Sequence, residues 1–160
     1  NAVGDKGLLL LSESPNLSQL ESLNLESTGI TALGILALAE SSHLNRLREI
    51  NLCGNDLREK GLRILASSGN FKNLVKLRVS GVPVGDSGFQ ALVRSHTLSK
   101  LEELEIMGNT ITRQSLDALV NTSKLEQLKK LDLRRNKLKE ADLIFLADSP
   151  KFQDLDVLRF

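Results

Sequence analysis

Apolar and polar residues alternate along this chain in one frame that recurs at a constant interval. In the clearest copy, Leu128–Leu138 (LKKLDLRRNKL), leucines are separated by residues that are mostly charged. Copies of the same frame start 27 residues apart, at Leu20, Leu47, Leu74, Leu101, Leu128 and Leu155. A period of this length is the signature of a solenoid built from stacked supersecondary units.

Each copy predicts a strand followed by a helix. In the copy that starts at Leu101, the first residues alternate as a β-strand does, with Leu104 and Ile106 facing inward and Glu103 and Glu105 facing outward. After a turn, residues 112–121 place apolar side chains at helical spacing, which gives one buried stripe. One strand and one helix in every repeat predict an α/β solenoid.

The frame also predicts how the helices begin. Thr31, Asp86 and Thr112 stand where an N-cap side chain accepts from the first free amides of a helix. A small residue recurs near the front of each helix, although glycine in a helix costs about 1 kcal/mol relative to alanine. We therefore expect these positions to approach a neighbouring backbone closely: Gly7, Gly34, Gly61, Gly88 and Ser115.

Composition adds little chemistry to this picture. The chain has 160 residues, of which 41% are hydrophobic and 26% charged, and this composition is typical of one folded domain. Because only 3% of the residues are aromatic, we predict an aliphatic core in which the five phenylalanines take core positions. A net charge of +1 does not predict a nucleic-acid partner. The longest aliphatic run, Leu8–Leu11, is too short for a membrane span. The single cysteine, Cys53, favours a reducing, cytoplasmic compartment.

The frame divides residues 1–160 into one repeat domain. Residues 1–19 are the end of a repeat, full repeats start at 20, 47, 74, 101 and 128, and residues 155–160 begin another. Neither end has the polar cap that a solenoid needs. We therefore expect the chain to be a segment of a longer protein.

The copies at Leu101–Ile111 and Leu128–Leu138 meet the pattern LxxLxLxxNxL nearly in full, and on these residues the chain resembles the leucine-rich repeat family. Repeat length and the helical second half, for example Gly61–Phe71, resemble the ribonuclease-inhibitor-like subclass. That resemblance implies a right-handed horseshoe arc with a parallel β-sheet on the concave face, α-helices on the convex face, and a mostly intracellular, protein-binding role. The uniform repeat length departs from ribonuclease inhibitor itself, and descents such as Ser14-Pro15 look more like bacterial members, so a secreted bacterial protein is the alternative location.

The same resemblance implies a ladder of buried asparagines, whose amides bond to the backbone of neighbouring turns. Asn55, Asn109 and Asn136 match this position, whereas Thr28 and Val82 do not. Because valine has no polar side chain, we expect a local flaw in the middle of the ladder.

Curvature predicts where a partner would bind. Strands lie about 4.8 Å apart and packed helices about 8–10 Å apart, so stacked repeats bend with the sheet inside. Outward strand residues then form a concave face, and the predicted binding residues are Glu49, Asn51, Lys76, Arg78, Glu103, Glu105, Met107, Lys130, Asp132 and Arg134. Six strands give a floor of roughly 400 Å², less than the roughly 800 Å² per partner of a standard interface. This face is therefore expected to be part of a larger surface.

Two interpretations of the charges on this face stay open. Glu49, Lys76, Glu103 and Lys130 form one column across neighbouring strands, which predicts a ladder of cross-strand ion pairs. Alternatively, the acidic fourth strand beside a basic fifth strand, which ends in Arg134 and Arg135, binds a partner of complementary charge. Both interpretations can hold together.

No catalytic, metal-binding or cofactor motif is present. His43 and His96 are the only histidines, and both fall in turns after a helix, where a solvated role is expected. We predict a protein–protein interaction scaffold, not an enzyme, that binds a protein partner and neither nucleic acid nor membrane. The alternative is a sensing, autoinhibitory or substrate-recognition segment of a larger protein, such as a NOD-like sensor, a ubiquitin ligase or a GTPase-activating protein.

Overall fold

The computed structural model describes all residues from Asn1 to Phe160, and six parallel strands form one open sheet in sequential order. The strands are β1 (Ser22–Asn24), β2 (Glu49–Asn51), β3 (Lys76–Arg78), β4 (Glu103–Glu105), β5 (Lys130–Asp132) and β6 (Val157–Arg159). The helices are α1 (Gly4–Ser12), α2 (Ala32–Glu40), α3 (Arg58–Ser67), α4 (Gly85–Val93), α5 (Arg113–Asn121) and α6 (Glu140–Ala147). Short 3₁₀ helices at Pro15–Leu17, Gly69–Phe71 and Pro150–Phe152 lead three of the descents back to the sheet. The predicted α/β solenoid is confirmed.

Neighbouring strands pair in a register of one repeat. Leu77 of β3 lies opposite Ile50 on one side and Leu104 on the other, and every named strand pair keeps this offset. Equivalent side chains therefore stack in straight columns, with the inward column in the core. The core is one continuous cluster of 35 buried apolar residues between sheet and helices.

Phenylalanines occupy the core less completely than the sequence predicts. Phe71 and Phe89 are fully buried, and Phe145 and Phe152 are partly buried against the core. Phe160, however, is 37% exposed. The prediction is wrong for this residue, which follows directly after β6 as residue 160.

The structure corrects one prediction about how the helices begin. Thr31 and Thr112 are N-caps, as expected: each accepts a hydrogen bond from the amide two residues later. Asp86 is not an N-cap, because it lies in the first turn of α4. Its carboxylate instead accepts from the Thr112 amide at 2.8 Å, the Thr112 hydroxyl at 2.7 Å and the Ser115 hydroxyl, so it caps the next helix.

Asp5 repeats this arrangement between α1 and α2. Its Oδ1 accepts from the Thr31 amide at 2.8 Å and the Gly34 amide at 2.9 Å. Close approach to a neighbouring backbone is confirmed at two of the small helix residues, Gly61 and Gly88. A Cβ on Gly88 would lie 3.4 Å from Glu59 Cα, and one on Gly61 would lie 3.6 Å from Ala32 Cα. A Cβ on Gly34 would lie 2.7 Å from Asp5 Oδ1, so the absence of a side chain at Gly34 leaves room for the Asp5 carboxylate.

The asparagine ladder forms at the predicted residues. Asn55 Oδ1 accepts from the Thr28 amide at 3.2 Å, Asn109 Oδ1 from the Val82 amide at 2.9 Å, and Asn136 Oδ1 from the Asn109 amide at 2.8 Å. Their Nδ2 groups donate to strand-end carbonyls of their own and the preceding repeat. The ladder therefore ties successive repeats together through the buried side chains of Asn55 and Asn109 and the half-buried side chain of Asn136.

A second ladder was not predicted from the sequence. Hydroxyl groups after the helices donate to the last helical carbonyls of the preceding repeat: Ser41 to Ser12, Ser68 to Ala39, Ser95 to Ala66 and Thr122 to Val93. A serine or threonine recurs at 14, 41, 68, 95, 122 and 149, and this period could have identified the ladder.

None of the helices combines the length and apolar character needed to cross a bilayer.

Candidate functional site

The outward side chains of the six strands line the concave face of the sheet. Strand alternation turns Leu104 of β4 into the core and leaves Glu103 and Glu105 facing outward, and each strand of the sheet repeats this arrangement. The strand register brings the predicted residues Glu49, Asn51, Lys76, Arg78, Glu103, Glu105, Lys130 and Asp132 side by side in two columns. Met107 and Arg134 follow β4 and β5 at the carboxyl ends of the strands.

The first column contains a three-residue ion-pair network. Lys76 Nζ lies 2.8 Å from Glu103 Oε2, and Lys130 Nζ lies 2.7 Å from Glu103 Oε1. Hydrogen bonds from Lys130 and Lys76 lower the pKa of Glu103, against an opposing effect of burial. The ion-pair interpretation is therefore confirmed for these three residues. Glu49 is exposed and forms no ion pair, although Lys76 is its register neighbour.

The second column pairs arginines with carboxylates, of which Asp132 is the recessed one. Arg78 Nε lies 3.0 Å from Glu105 Oε1. Asp132, whose side chain is only 8% exposed, accepts from Arg134 at 2.6 Å and lies 3.7 Å from Arg159. The hydrogen bond from Arg134 lowers the pKa of Asp132 more than burial raises it. Asp132 thus holds arginines in place and offers little surface of its own to a partner.

The asparagine of this column is held in a similar way. Asn51 Nδ2 donates to Glu26 Oε2 at 3.0 Å, and Asn51 Oδ1 accepts from the Cys53 amide at 3.1 Å. Asn51 is half-buried, so both hydrogen bonds fix its side chain on the floor of the face.

Neutral residues follow the strands at their carboxyl ends. Met107 is half-buried, and the Ser80 hydroxyl accepts its amide hydrogen at 3.1 Å. Cys53 Sγ accepts the Ser80 amide hydrogen at 3.3 Å. Burial raises the pKa of the Cys53 thiol, and the hydrogen bonds from Ser80 offset this only in part. The thiol is therefore held as a weakly reactive neutral group on this face.

Depressions mark both halves of the face. One of about 200 Å³ lies over β4, β5 and β6, between Lys130 and Arg159, and one of about 100 Å³ lies over β1, β2 and β3 beside Glu49. A larger groove of about 790 Å³ lies elsewhere, along the edge where helices return to strands, and His96 lines it. His96 is exposed there, as expected for a turn residue. The groove carries a mixture of cations and carboxylates, including Lys100, Lys124 and Glu126.

Two arginines extend the predicted site. Arg159 is not among the predicted binding residues, yet it lines the larger concave depression and faces Asp132. Arg135 follows Arg134 with a left-handed backbone, φ 57°. Glycine occupies the equivalent position in three other repeats, Gly54, Gly81 and Gly108. An arginine at a glycine position is the sequence signal that marks this corner of the face.

Comparison with known proteins agrees with the geometry. A sequence model of the family described as "Leucine Rich repeat" matches residues 17–39. Internalin C2 of Listeria monocytogenes superposes with a TM-score of 0.62 at 24% identity, over 91% of this chain and 54% of the internalin. The internalin inlF of the same organism superposes with a TM-score of 0.50 at 18% identity, over 95% of this chain and 50% of that one.

No curated protein sequence gives a significant match. The chain spans about half the length of the internalins that it resembles. At these identities the likeness concerns the fold, which is that of a leucine-rich repeat solenoid.

Proposed function

We propose that this leucine-rich repeat solenoid is a scaffold that binds a protein partner through its concave face and the adjoining carboxyl ends of the strands. The observation that carries the proposal is the set of outward strand residues, which lie in register, are polar, and are covered by no other element. Leucine-rich repeat proteins generally serve as interaction scaffolds, which supports this choice over a catalytic one.

The concave side chains are held in place before a partner arrives. Glu103 is anchored between two lysines, and Asp132 between two arginines. Long cationic side chains lose conformational entropy when they are immobilised in an interface, about 0.5–1.5 kcal/mol each. Internal ion pairs have already restricted these side chains, so less of that entropy is lost on binding. The ion-pair and partner-binding interpretations of the charges are therefore compatible.

The helices and the thiol bear on two narrower assignments. Every repeat has an α-helix of 8–10 residues on the side away from the sheet, which supports the ribonuclease-inhibitor-like subclass. The single cysteine, Cys53, supports a reducing compartment such as the cytoplasm. Both assignments are part of the proposal.

Exchanging a charge pair tests the proposal without removing the pair. The concave variant Arg78→Glu/Glu105→Arg reverses both charges of one ion pair that has no third member. Its matched control is the convex exchange Glu59→Arg/Arg63→Glu, which reverses an exposed pair 2.6 Å apart within α3. The wild-type chain is immobilised, bound proteins are identified by mass spectrometry, and the affinity of each variant for the purified partner is measured by calorimetry.

We expect the concave exchange to weaken the partner about tenfold or more, which corresponds to about 1.4 kcal/mol, and the convex exchange to leave its affinity unchanged. Circular dichroism of each variant checks that the fold is retained. Equal affinity of the folded concave variant, or loss of affinity only in the convex variant, would refute the proposal.

A further inference from the structure

Two exposed arginines, Arg134 and Arg159, meet at Asp132 where β5 and β6 end, and the exposed Arg135 follows Arg134 in the chain. We call Arg134, Arg135 and Arg159 the arginine cluster. The side chains of Arg134 and Arg159 are 46% and 56% exposed, and Arg135 is also exposed. The only carboxylate that contacts them is that of Asp132, which is almost buried. The outermost groups in this corner are therefore guanidinium groups.

Asp132 holds two of the guanidinium groups next to each other. Its Oδ2 lies 2.6 Å from Arg134 Nη2 and 3.7 Å from Arg159 Nη1. Two guanidinium groups share one carboxylate, so one positive charge is left that a second anion would neutralise. Guanidinium groups present their N–H donors in a planar fork that matches a carboxylate. The corner is thus arranged to receive a carboxylate from outside.

Arg135 supplies an independent observation. Its φ of 57° lies in the left-handed region that disfavours every residue except glycine, and three other repeats have glycine there. Arg58 has the same kind of backbone, φ 53°, but its guanidinium is neutralised by Asp56 at 2.9 Å. Arg135 has no acidic partner within the chain. Its charge is free in a place where the backbone alone would favour glycine.

We propose that the arginine cluster binds a short acidic segment of the protein partner, carrying neighbouring Asp or Glu side chains. This inference rests on the proposed function and names the chemistry of the partner. A short segment fits better than a long polyanion such as nucleic acid, because carboxylates limit the extent of the positive surface: Glu105 ends the neighbouring strand β4, and Glu102 and Asp156 lie at the amino ends of β4 and β6. The net charge of +1 adds no wider attraction for a polyanion.

Fluorescein-labelled hexaglutamate is the probe, and its binding to the purified chain is followed by fluorescence anisotropy at low ionic strength. Arg135→Gly removes the free guanidinium and places the residue that the backbone favours. Arg58→Gly is the matched control, because it makes the same change at an arginine with the same backbone outside the cluster. We expect Arg135→Gly and Arg134→Gln each to weaken binding by roughly threefold or more through loss of a charge-assisted contact, and Arg58→Gly to have no effect.

The inference is overturned if the wild type does not bind hexaglutamate, if Arg135→Gly binds it as tightly as the wild type, or if a single-stranded oligonucleotide of the same charge binds more tightly. Thermal unfolding of each variant confirms that it is folded. If hexaglutamate binding fails these tests while the concave exchange still weakens the natural partner, only the acidic-segment inference falls. If the concave exchange has no effect either, the proposed function falls with it.

Discussion

Val82→Asn should repair the gap in the asparagine ladder. Val82 is fully buried at the ladder position, and its own amide donates to Asn109 Oδ1, so the backbone is already in register. One repeat earlier, the backbone N–H groups of Asn55 and Leu57 have no hydrogen-bond acceptor. The equivalent backbone N–H groups of Asn109 and Ile111 both donate to Asn136 Oδ1. Val82 has no side-chain oxygen that could accept in the same way.

The magnitude follows from that comparison. An asparagine at 82 would accept from both free amides, and its Nδ2 would donate to the carbonyls of Leu52 and Val79, as Asn136 does to those of Ile106 and Leu133. Four hydrogen bonds at about 1 kcal/mol each oppose the loss of a buried valine, which contributes about 1.5–3 kcal/mol. The net expectation is a stabilisation of about 1–2.5 kcal/mol, or about 2–10 °C in Tm.

Calorimetry and urea unfolding measure the change, and hydrogen exchange of the Asn55 and Leu57 amides reports its cause, since both should exchange more slowly in the variant. Asn109→Val makes the reverse substitution and should destabilise, because it removes the acceptor of the Val82 amide and two donors. An unchanged or lower Tm for Val82→Asn, or unaltered exchange of the two amides, would refute the reasoning. It would show that the turn before Pro83 cannot accommodate the ladder geometry.

Three further predictions follow from single side chains. Asp86→Asn should lower the free energy of unfolding by about 1 kcal/mol at neutral pH, as loss of a cap does. Burial raises the pKa of Asp86, but hydrogen bonds from the next helix lower this pKa by more than burial raises it. The wild type should therefore lose this stability in urea unfolding as the pH falls below roughly 3.9, and the variant should show no such loss. Arg135→Gly and Arg58→Gly should each stabilise the folded chain by up to about 1 kcal/mol in thermal unfolding, because glycine adopts the left-handed backbone of these positions without strain. Cys53 should react with iodoacetamide at pH 8 more slowly than free cysteine, because burial raises its pKa.

Most of the fold could be predicted from the sequence because the repeat makes every layer a copy of the last. Strand alternation at Leu104 depends on local spacing, which a sequence shows directly, and the roles of Asn55, Asn109 and Asn136 follow from the resemblance to leucine-rich repeats. The prediction for Asp86 was wrong because its first-turn position aims its side chain at the neighbouring helix, so its partners lie 26 and 29 residues away. Local spacing cannot show which of two helix starts a carboxylate will reach.

The candidate site was predicted as a set of columns, but not as a set of contacts. Alternation and period placed Glu49 and Glu103 in one column, yet only Glu103 is paired. Asp132 and Arg134 both face outward in the pattern, and only the structure shows that the carboxylate is recessed beneath the guanidinium. These differences arise from side-chain rotamers and from the depth of each residue in the curved sheet, which the sequence pattern does not encode.

The sequence by itself determined the repeat, the strand–helix order, the buried ladder and the residues that line the concave face. The repeat, the strand–helix order and the concave residues follow from hydrophobic periodicity, because burial of an apolar stripe depends on spacing along one chain. The ladder is what the resemblance to leucine-rich repeats implies for Asn55, Asn109 and Asn136. Tertiary structure decided which charges neutralise one another and which remain free, as for Arg58 beside Asp56 and Arg135 without a partner. Electrostatic pairing depends on distances of a few ångströms between side chains, and those distances are fixed only when the layers stack.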